Sequence, residues 1–353
     1  MDRRQKTVDW TTDAWLKQLY EEQDLRRKRE RQQVHCTPAD RQLQLRTTLK
    51  QALGAFPDRD HPLDPVVLAR VDYGDFILER IAYTTMEAVH VPVIVLVPKV
   101  GNGLWPAVLA CHGHGNGYLD AVGLEPDGTE LADPGIHNRF AVQLVRKGML
   151  VVVPEIMGFG VRRMAEELKS APNYSSCGTL SSQLLMYGRT LAGMRVYEAI
   201  RAMDYIFGRD DVDAKRVGTF GFSGGSLVAA YASALDERVK ATVLCGWTNT
   251  FQGSILAMHH CIDNYLPGIL LDAEQPELTG IIAPRALFVE SGEQDPIFPV
   301  KQVRQAVTFL EYTYRMWGAK DNFDYHIHSG SHEISGEKSI PWLYGQLTHF
   351  PDV

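Results

Sequence analysis

Three residues far apart in the chain have the types, the order and the local settings of a nucleophile, an acid and a base. Ser223 stands in Gly221-Phe222-Ser223-Gly224-Gly225, after the apolar run Val217 to Phe220 and before a small-residue helix predicted over Ser226 to Leu235. A serine in a G-x-S-x-G pattern so placed occupies a sharp, strained strand-to-helix turn, and only residues with little side chain fit beside it. Its hydroxyl then stands clear of the sheet at the partially positive end of a helix. A serine hydroxyl is a poor nucleophile near neutral pH, so it needs a base, and the base needs an orienting acid. Asp295, in Ser291-Gly292-Glu293-Gln294-Asp295-Pro296, follows a predicted strand over Ala286 to Glu290. His332, in Ser329-Gly330-Ser331-His332-Glu333, follows another over Phe323 to His328. The order Ser, Asp, His, with each residue at a strand end, meets the demand of acyl transfer. Glu293 is the rival acid; Asp295 is preferred. His326 and His328 alternate along their strand and are expected to pack or face solvent.

A developing oxyanion needs two preorganised N–H donors. One is expected from the backbone of Gly224, just after the nucleophile. The other is expected from the loop His112-Gly113-His114-Gly115, which follows a predicted strand over Ala107 to Cys111. His114 N–H is assigned that role, with Gly115 as the alternative. His112 and His114 could also form a metal pair, with His259-His260 adding a ligand, but no H-E-x-x-H motif supports this, and no metal is expected. No cofactor is expected either. No Walker-type loop exists, Gly113-x-Gly115 lacks the third glycine of a dinucleotide fingerprint, and Ser335-x-x-Lys338 has no S-D-N or K-T-G companion.

These residues need a scaffold, and the pattern of apolar runs supplies one. Residues 8–53 read as mostly helical, with Trp10, Trp15, Leu19, Leu43, Leu45 and Leu49 as apolar anchors, and the Pro- and Asp-rich stretch Phe56 to Pro62 ends this segment. Ile77 to Met86 and His90 to Pro98 predict consecutive antiparallel strands near a sheet edge, the position that Pro92 fits best. Strands over Ala107–Cys111, Met149–Pro154, Val217–Phe220, Val239–Cys245, Ala286–Glu290 and Phe323–His328 then alternate with helices. The helices are predicted at Ile136–Lys147, Met194–Phe207, Ser226–Leu235, from Val303 to near Trp317, and at Ile340–Phe350. Such alternation signals an α/β fold with a mostly parallel central sheet covered on both faces, binding ligands at the carboxyl ends of its strands. Residues 1–66 are taken as an N-terminal helical extension and 67–353 as the catalytic domain. Loops at 116–135, 157–190 and 247–268 are expected to wall the site, the last with Trp247, His260, Tyr265 and Leu266 as substrate contacts.

The net charge of −7 is uneven: 12 Lys/Arg against 8 Asp/Glu in residues 1–50 make +4, leaving −11 for the remainder. An acidic body offers no footprint for nucleic acid. The run Arg26-Arg27-Lys28-Arg29-Glu30-Arg31 is read as a solvated helix face, with Glu21, Glu22 and Asp24 just upstream. Met1-Asp2-Arg3-Arg4 lacks a signal peptide's apolar core, and no stretch reaches the roughly 18–20 apolar residues of a membrane span. Five cysteines with no C-x-x-C pair argue for reduced thiols and a cytoplasmic protein.

With these residues in hand, the chain resembles the α/β-hydrolase superfamily. More narrowly, it looks like the branch of the dienelactone hydrolase family that contains acetyl xylan esterase-like proteins. The resemblance runs from about residue 10 to the C-terminus. It is carried by Leu53-Gly54-Ala55-Phe56-Pro57, Cys111-His112-Gly113-His114-Gly115, Gly188-Arg189-Thr190-Leu191-Ala192-Gly193-Met194 and Arg216-Val217-Gly218 leading into Gly221–Gly225. Gly292-Glu293-Gln294-Asp295 and Gly330-Ser331-His332-Glu333 complete it. It implies an α/β-hydrolase fold, Ser223 as nucleophile, Asp295 as acid and His332 as base. It also implies a serine esterase, acetyl-esterase-like, that forms an acyl-enzyme. Dienelactone hydrolases proper use a cysteine nucleophile, so lactone opening of that kind is not implied. Xylan-acting esterases are commonly exported, so the missing export signal favours a small soluble ester. Glu155, where the superfamily often has Asp, is read as loop-anchoring. Two alternatives stand beside this: an amidase or peptidase like prolyl oligopeptidases, without their propeller, and a non-catalytic hydrolase fold that binds a ligand. The N-terminal helices either cover the core or build a homo-oligomer.

Overall fold

The computed structural model describes residues 10–33, 36–101, 104–125 and 127–348. Helices α1 (Asp13–Gln33) and α2 (Pro38–Leu53) lead into strands β1 (Val66–Asp72), β2 (Phe76–Met86) and β3 (Val89–Pro98). Alternation follows: β4 (Trp105–Cys111), α3 (Tyr118–Val122), α4 (Phe140–Arg146), β5 (Leu150–Pro154), α5 (Cys177–Leu185), α6 (Leu191–Phe207), β6 (Val212–Phe222) and α7 (Gly224–Leu235). The rest is β7 (Ala241–Cys245), α8 (Gln275–Thr279), β8 (Ala286–Gly292), α9 (Val300–Met316), β9 (Phe323–His328) and α10 (Ser339–Thr348). The terminal positions 8–9 and 349–350 of the two outermost helical expectations lie outside the described residues.

Among the described residues, nine strands join one sheet, in the order β1-β2-β3-β5-β4-β6-β7-β8-β9. β1, β2, β3 and β5 pair antiparallel; β5, β4, β6, β7, β8 and β9 pair parallel. Every residue of β5, β7 and β8 is buried, which is why these strands carry apolar runs such as Leu150–Pro154, Val243–Cys245 and Ala286–Val289. Strand alternation sends Ala107, Leu109, Cys111, Val217 and Leu244 to the face covered by α2, α6 and α7. Val108, Ala110, Phe220 and Val243 point the other way, under α4 and α10. The carboxyl ends of β4, β6, β8 and β9 are thereby gathered along one rim.

Several expectations change. The edge strand is β1, and β3 is interior, flanked by β2 and β5. Pro92 is tolerated there because the β3–β5 ladder begins one residue later, at Val93↔Pro154. Beyond that pair only the Pro92 carbonyl is needed, and it accepts from Glu155 N at 2.9 Å. Helix α4 starts at Phe140 because Asn138 and Arg139 hold left-handed conformations (φ 50° and 47°). The wall segments contain α3 and α5, which were expected as loops.

The N-terminal helices also differ from the reading of their side chains. Leu45, Leu49, Ala52 and Leu53 of α2 enter the core beside α6 and α7, but Trp10, Trp15, Leu19 and Leu43 are exposed. Helix α1 docks through polar groups instead. The Tyr20 hydroxyl donates to Glu274 at 2.9 Å, Arg26 donates to the Leu271 carbonyl at 2.7 Å, and Arg27 donates to that of Leu270. Arg27 is buried, so the basic run is not solvated throughout. Arg31 and Arg41 converge on buried Glu277 at 2.8 and 3.0 Å. Among the described residues, no helix is long and apolar enough to cross a membrane.

Candidate active site

Ser223 joins β6 to α7 with φ 52° and ψ −122°, a region L-residues avoid at a cost of about 1–3 kcal/mol. Packing on both sides holds it there. A Cβ on Gly221 would strike the Gly225 carbonyl, and one on Gly225 would strike the carbonyls of Cys111 and His112. The glycines therefore let α7 lie directly against β6 and the end of β4. Ser223 N donates to the Cys245 carbonyl at 2.9 Å, and the Ser226 hydroxyl donates to that carbonyl and accepts from Cys245 N at 2.8 and 3.0 Å.

The loop after β9 brings His332 Nε2 to 3.0 Å from Ser223 Oγ, while Nδ1 lies 2.7 Å from Asp295 Oδ2. With Nδ1–H donating to the carboxylate, Nε2 is left to accept the serine proton. Asp295 is buried, and its other oxygen accepts from Ile297 N and Phe298 N, each at 2.9 Å. These bonds compensate a buried carboxylate and aim it. The imidazole is sandwiched by Phe222 and Phe298, with ring centroids at 5.0 and 5.6 Å. Glu293 is exposed, and its carboxylate faces Arg304 at 3.7 Å, away from the histidine.

The His332 loop is clamped from below. Buried Glu290, on β8, accepts from Ser335 N, Gly336 N and the Ser339 hydroxyl at 3.0, 3.2 and 2.8 Å. His328, expected to pack or face solvent, accepts from Gly330 N at 3.1 Å and so shapes the same turn. Neither role had a sequence signal beyond position at a strand end.

Gly224 N–H is the first unpaired donor of α7, as the geometry of a helix N-terminus requires. The His112–Gly115 loop packs on the elbow, since a Cβ on Gly113 would press on the Phe222 carbonyl and on Ser223. The His114 ring covers Gly224 and meets Phe159 edge-on at 4.8 Å. Two buried imidazoles brace the loop. His112 Nε2 accepts from Ile156 N at 3.0 Å, and His137 Nε2 accepts from Gly113 N at 3.0 Å. Burial pushes the His137 pKa down to about 4, which keeps the ring a neutral acceptor. Glu155 accepts from Tyr118 N at 3.0 Å and fills the space beside Gly117 and Gly160, so it anchors loops.

The cleft over Ser223 has a volume of about 770 Å³. Of the expected contacts, His260 and Tyr265 line it. His260 Nε2 lies 2.9 Å from the Ser254 hydroxyl, and the Tyr265 hydroxyl donates to the Ile255 carbonyl at 2.9 Å. Trp247 and Leu266 do not line it. Trp247 is a packing residue, buried edge-on to Tyr231 with its indole N–H on Asn264 at 3.1 Å. Leu266 borders a smaller adjoining hollow.

Beside the elbow, a polar cluster that sequence spacing did not reveal borders the cleft. Arg195, buried on α6, donates to the Met157 carbonyl at 2.6 Å and to Cys177 Sγ at 3.2 Å, and is paired with buried Asp263. Its guanidinium lies over the Phe159 ring at 4.7 Å. A hydrogen bond from the Cys261 thiol, reinforced by the Arg195 charge, holds Cys177 well below the usual thiol range; the same bond raises Cys261. Only the fold brings these groups together, from α5, α6 and the segment after β7.

The sheet order, the serine elbow and the Ser–His–Asp chain define an α/β-hydrolase fold. No family model matches the chain. A curated relative is "Putative hydrolase YtaP" of Bacillus subtilis (strain 168), 29% identical over 283 residues, covering 78% of this chain and 89% of that protein. A crystal structure described as a putative acetyl xylan esterase from Bacteroides fragilis NCTC 9343 matches with a TM-score of 0.74 at 18% identity, over 89% of this chain and 90% of that one. A glucuronoyl esterase from Solibacter usitatus gives 0.67 at 17% identity, over 86% of this chain and 91% of that one. Acetyl Xylan Esterase 1 from Thermoanaerobacterium sp. JW/SL YS485 gives 0.55 at 14%, over 89% and 96%.

Proposed function

We propose that the protein is a serine hydrolase of carboxylic esters, working through an acyl-enzyme. The observation that carries this reading is one imidazole bridging Ser223 Oγ and Asp295 Oδ2 at 3.0 and 2.7 Å, on a strained elbow beside a cleft. His332 takes the serine proton as Oγ attacks the ester carbonyl, and Asp295 holds the tautomer and stabilises the imidazolium. The N–H groups of Gly224 and His114 receive the developing oxyanion. The alcohol leaves with the proton from His332, and water, deprotonated by the same ring, hydrolyses the acyl-enzyme.

An acetyl-type ester of a small molecule or short carbohydrate is the substrate class we favour. A cleft of about 770 Å³ suits a ligand of that size, and the structural neighbours include acetyl xylan and glucuronoyl esterases. The test is Ser223→Ala on chromogenic acetyl esters and acetylated sugars, with matched amides alongside. Turnover of esters should fall about 10⁴-fold or more with the fold intact. Near-normal ester turnover in the variant would end the assignment. Faster cleavage of the amide by the wild type would shift it to an amidase.

A further inference from the structure

We propose that His114, Cys177 and Cys261 form a binding site for a thiophilic divalent cation such as Zn²⁺, set in the wall of the cleft beside Ser223. One donor atom from each residue lies within 4.8 Å of the other two, and Cys177 Sγ is 3.9 Å from His114 Nε2. All three residues line the cleft. Tetrahedral bonds of about 2.3 Å to sulfur and about 2.1 Å to nitrogen separate donor atoms by about 3.6–3.8 Å, so the cluster needs to close by about 1 Å at most. Two thiolates and an imidazole are the donor set that Zn²⁺ and its congeners prefer over hard cations.

The surroundings favour occupation. Two thiolate charges would balance a divalent ion, and the nearby Arg195 charge is already matched by Asp263. Arg195 Nη2 donates to Cys177 Sγ at 3.2 Å, and the same nitrogen is tied to the Met157 carbonyl at 2.6 Å. An outer donor fixed in this way orients a ligand sulfur. Three protein ligands leave a fourth position, which the cleft supplies. The histidine grouping considered from sequence is not the one the fold assembles. His112 is turned inward onto Ile156 N, and His260 Nε2 faces the Ser254 hydroxyl. The cysteines take their place, from α5 and from the segment after β7, 84 residues apart in sequence (261 − 177).

Cobalt is a spectroscopic stand-in for zinc. Titrating Co²⁺ into the reduced full-length protein should give one ion per chain, with thiolate-to-cobalt charge transfer and the strong visible bands of a four-coordinate site. Cys177→Ser and Cys261→Ser should each weaken binding by more than about 100-fold, the upper end of what an outer partner costs. Ser223→Ala and Cys36→Ser should keep the spectrum. Circular dichroism checks each fold, and partly exposed Cys261 gives the gentler substitution. Stoichiometric Zn²⁺ should also slow ester turnover reversibly in wild type but not in Cys261→Ser. If the esterase reading fails there is no turnover to slow, and the cobalt spectrum still decides the site. Absence of a thiolate–cobalt band in reduced wild type, or its survival in either cysteine variant, overturns the proposal.

Discussion

The two walls of the cleft are built on different principles. On one side, Ser223, Asp295 and His332 stand at the ends of β6, β8 and β9, and backbone hydrogen bonds and glycine contacts set their positions. On the other side, α5, the turn around Met157 and the segment at 263 are drawn together by one buried arginine. The first wall inherits its precision from the sheet. The second depends on a single charged side chain and its desolvated partners.

The contrast can be probed from the strongest expected effect downward. Asp295→Asn keeps the shape of the first wall but removes the charge that fixes the His332 tautomer, and it should lower kcat by about 10³–10⁴-fold. A loss under about tenfold would mean that the acid does not orient the base. Arg195→Met attacks the second wall. Leaving Asp263 buried without its partner should cost about 3–5 kcal/mol of stability, read as a lower urea midpoint. An unchanged midpoint would show that the second wall is held by packing and not by the clasp.

The bracing of the His112–Gly115 loop gives a smaller, pH-dependent effect. His137 titrates near 4 when folded against 6.5 ordinarily, so the unfolded chain binds its proton first as pH falls. The stability it contributes is complete above about pH 6.5 and is lost as pH drops toward about 4, amounting to about 3 kcal/mol. Urea midpoints of wild type and His137→Gln, compared at pH 7 and at about pH 4.5, should converge toward the acid end. Parallel pH slopes in the two proteins would remove His137 from the account.

The same contrast explains what could be read from sequence. The juxtaposition of Ser223, His332 and Asp295 was legible because each follows a strand, and a strand end is a local pattern: apolar run, turn residues, polar residue. The parallel sheet was legible for the same reason, in runs such as Leu150–Pro154. Strand β1 received no bounds because its apolar run Val66-Val67-Leu68-Ala69 lacks the alternation of a half-buried strand, its residues lying mostly exposed at the sheet edge. The grouping of Cys177, Arg195, Cys261 and Asp263 has no local signature. Its members meet only after α5 and α6 have packed under the segment that follows β7. Trp247 and Leu266 were misplaced because a wall residue and a residue one layer deeper look alike in sequence. Arg27 was misread because a basic run carries no mark of which member is buried against a carbonyl, that of Leu270, 243 residues further along the chain.

Both walls offer a nucleophile to the same cleft, Ser223 from one and the depressed Cys177 thiol from the other. The central claim is that the serine reacts. It is tested most directly by acid-quenching the wild-type protein during turnover of an activated acetyl ester and mapping the acetylated residue by peptide mass spectrometry. The account predicts an acetyl adduct on the peptide holding Ser223, absent in Ser223→Ala. An adduct on Cys177, or steady turnover with Ser223 unmodified, would contradict it.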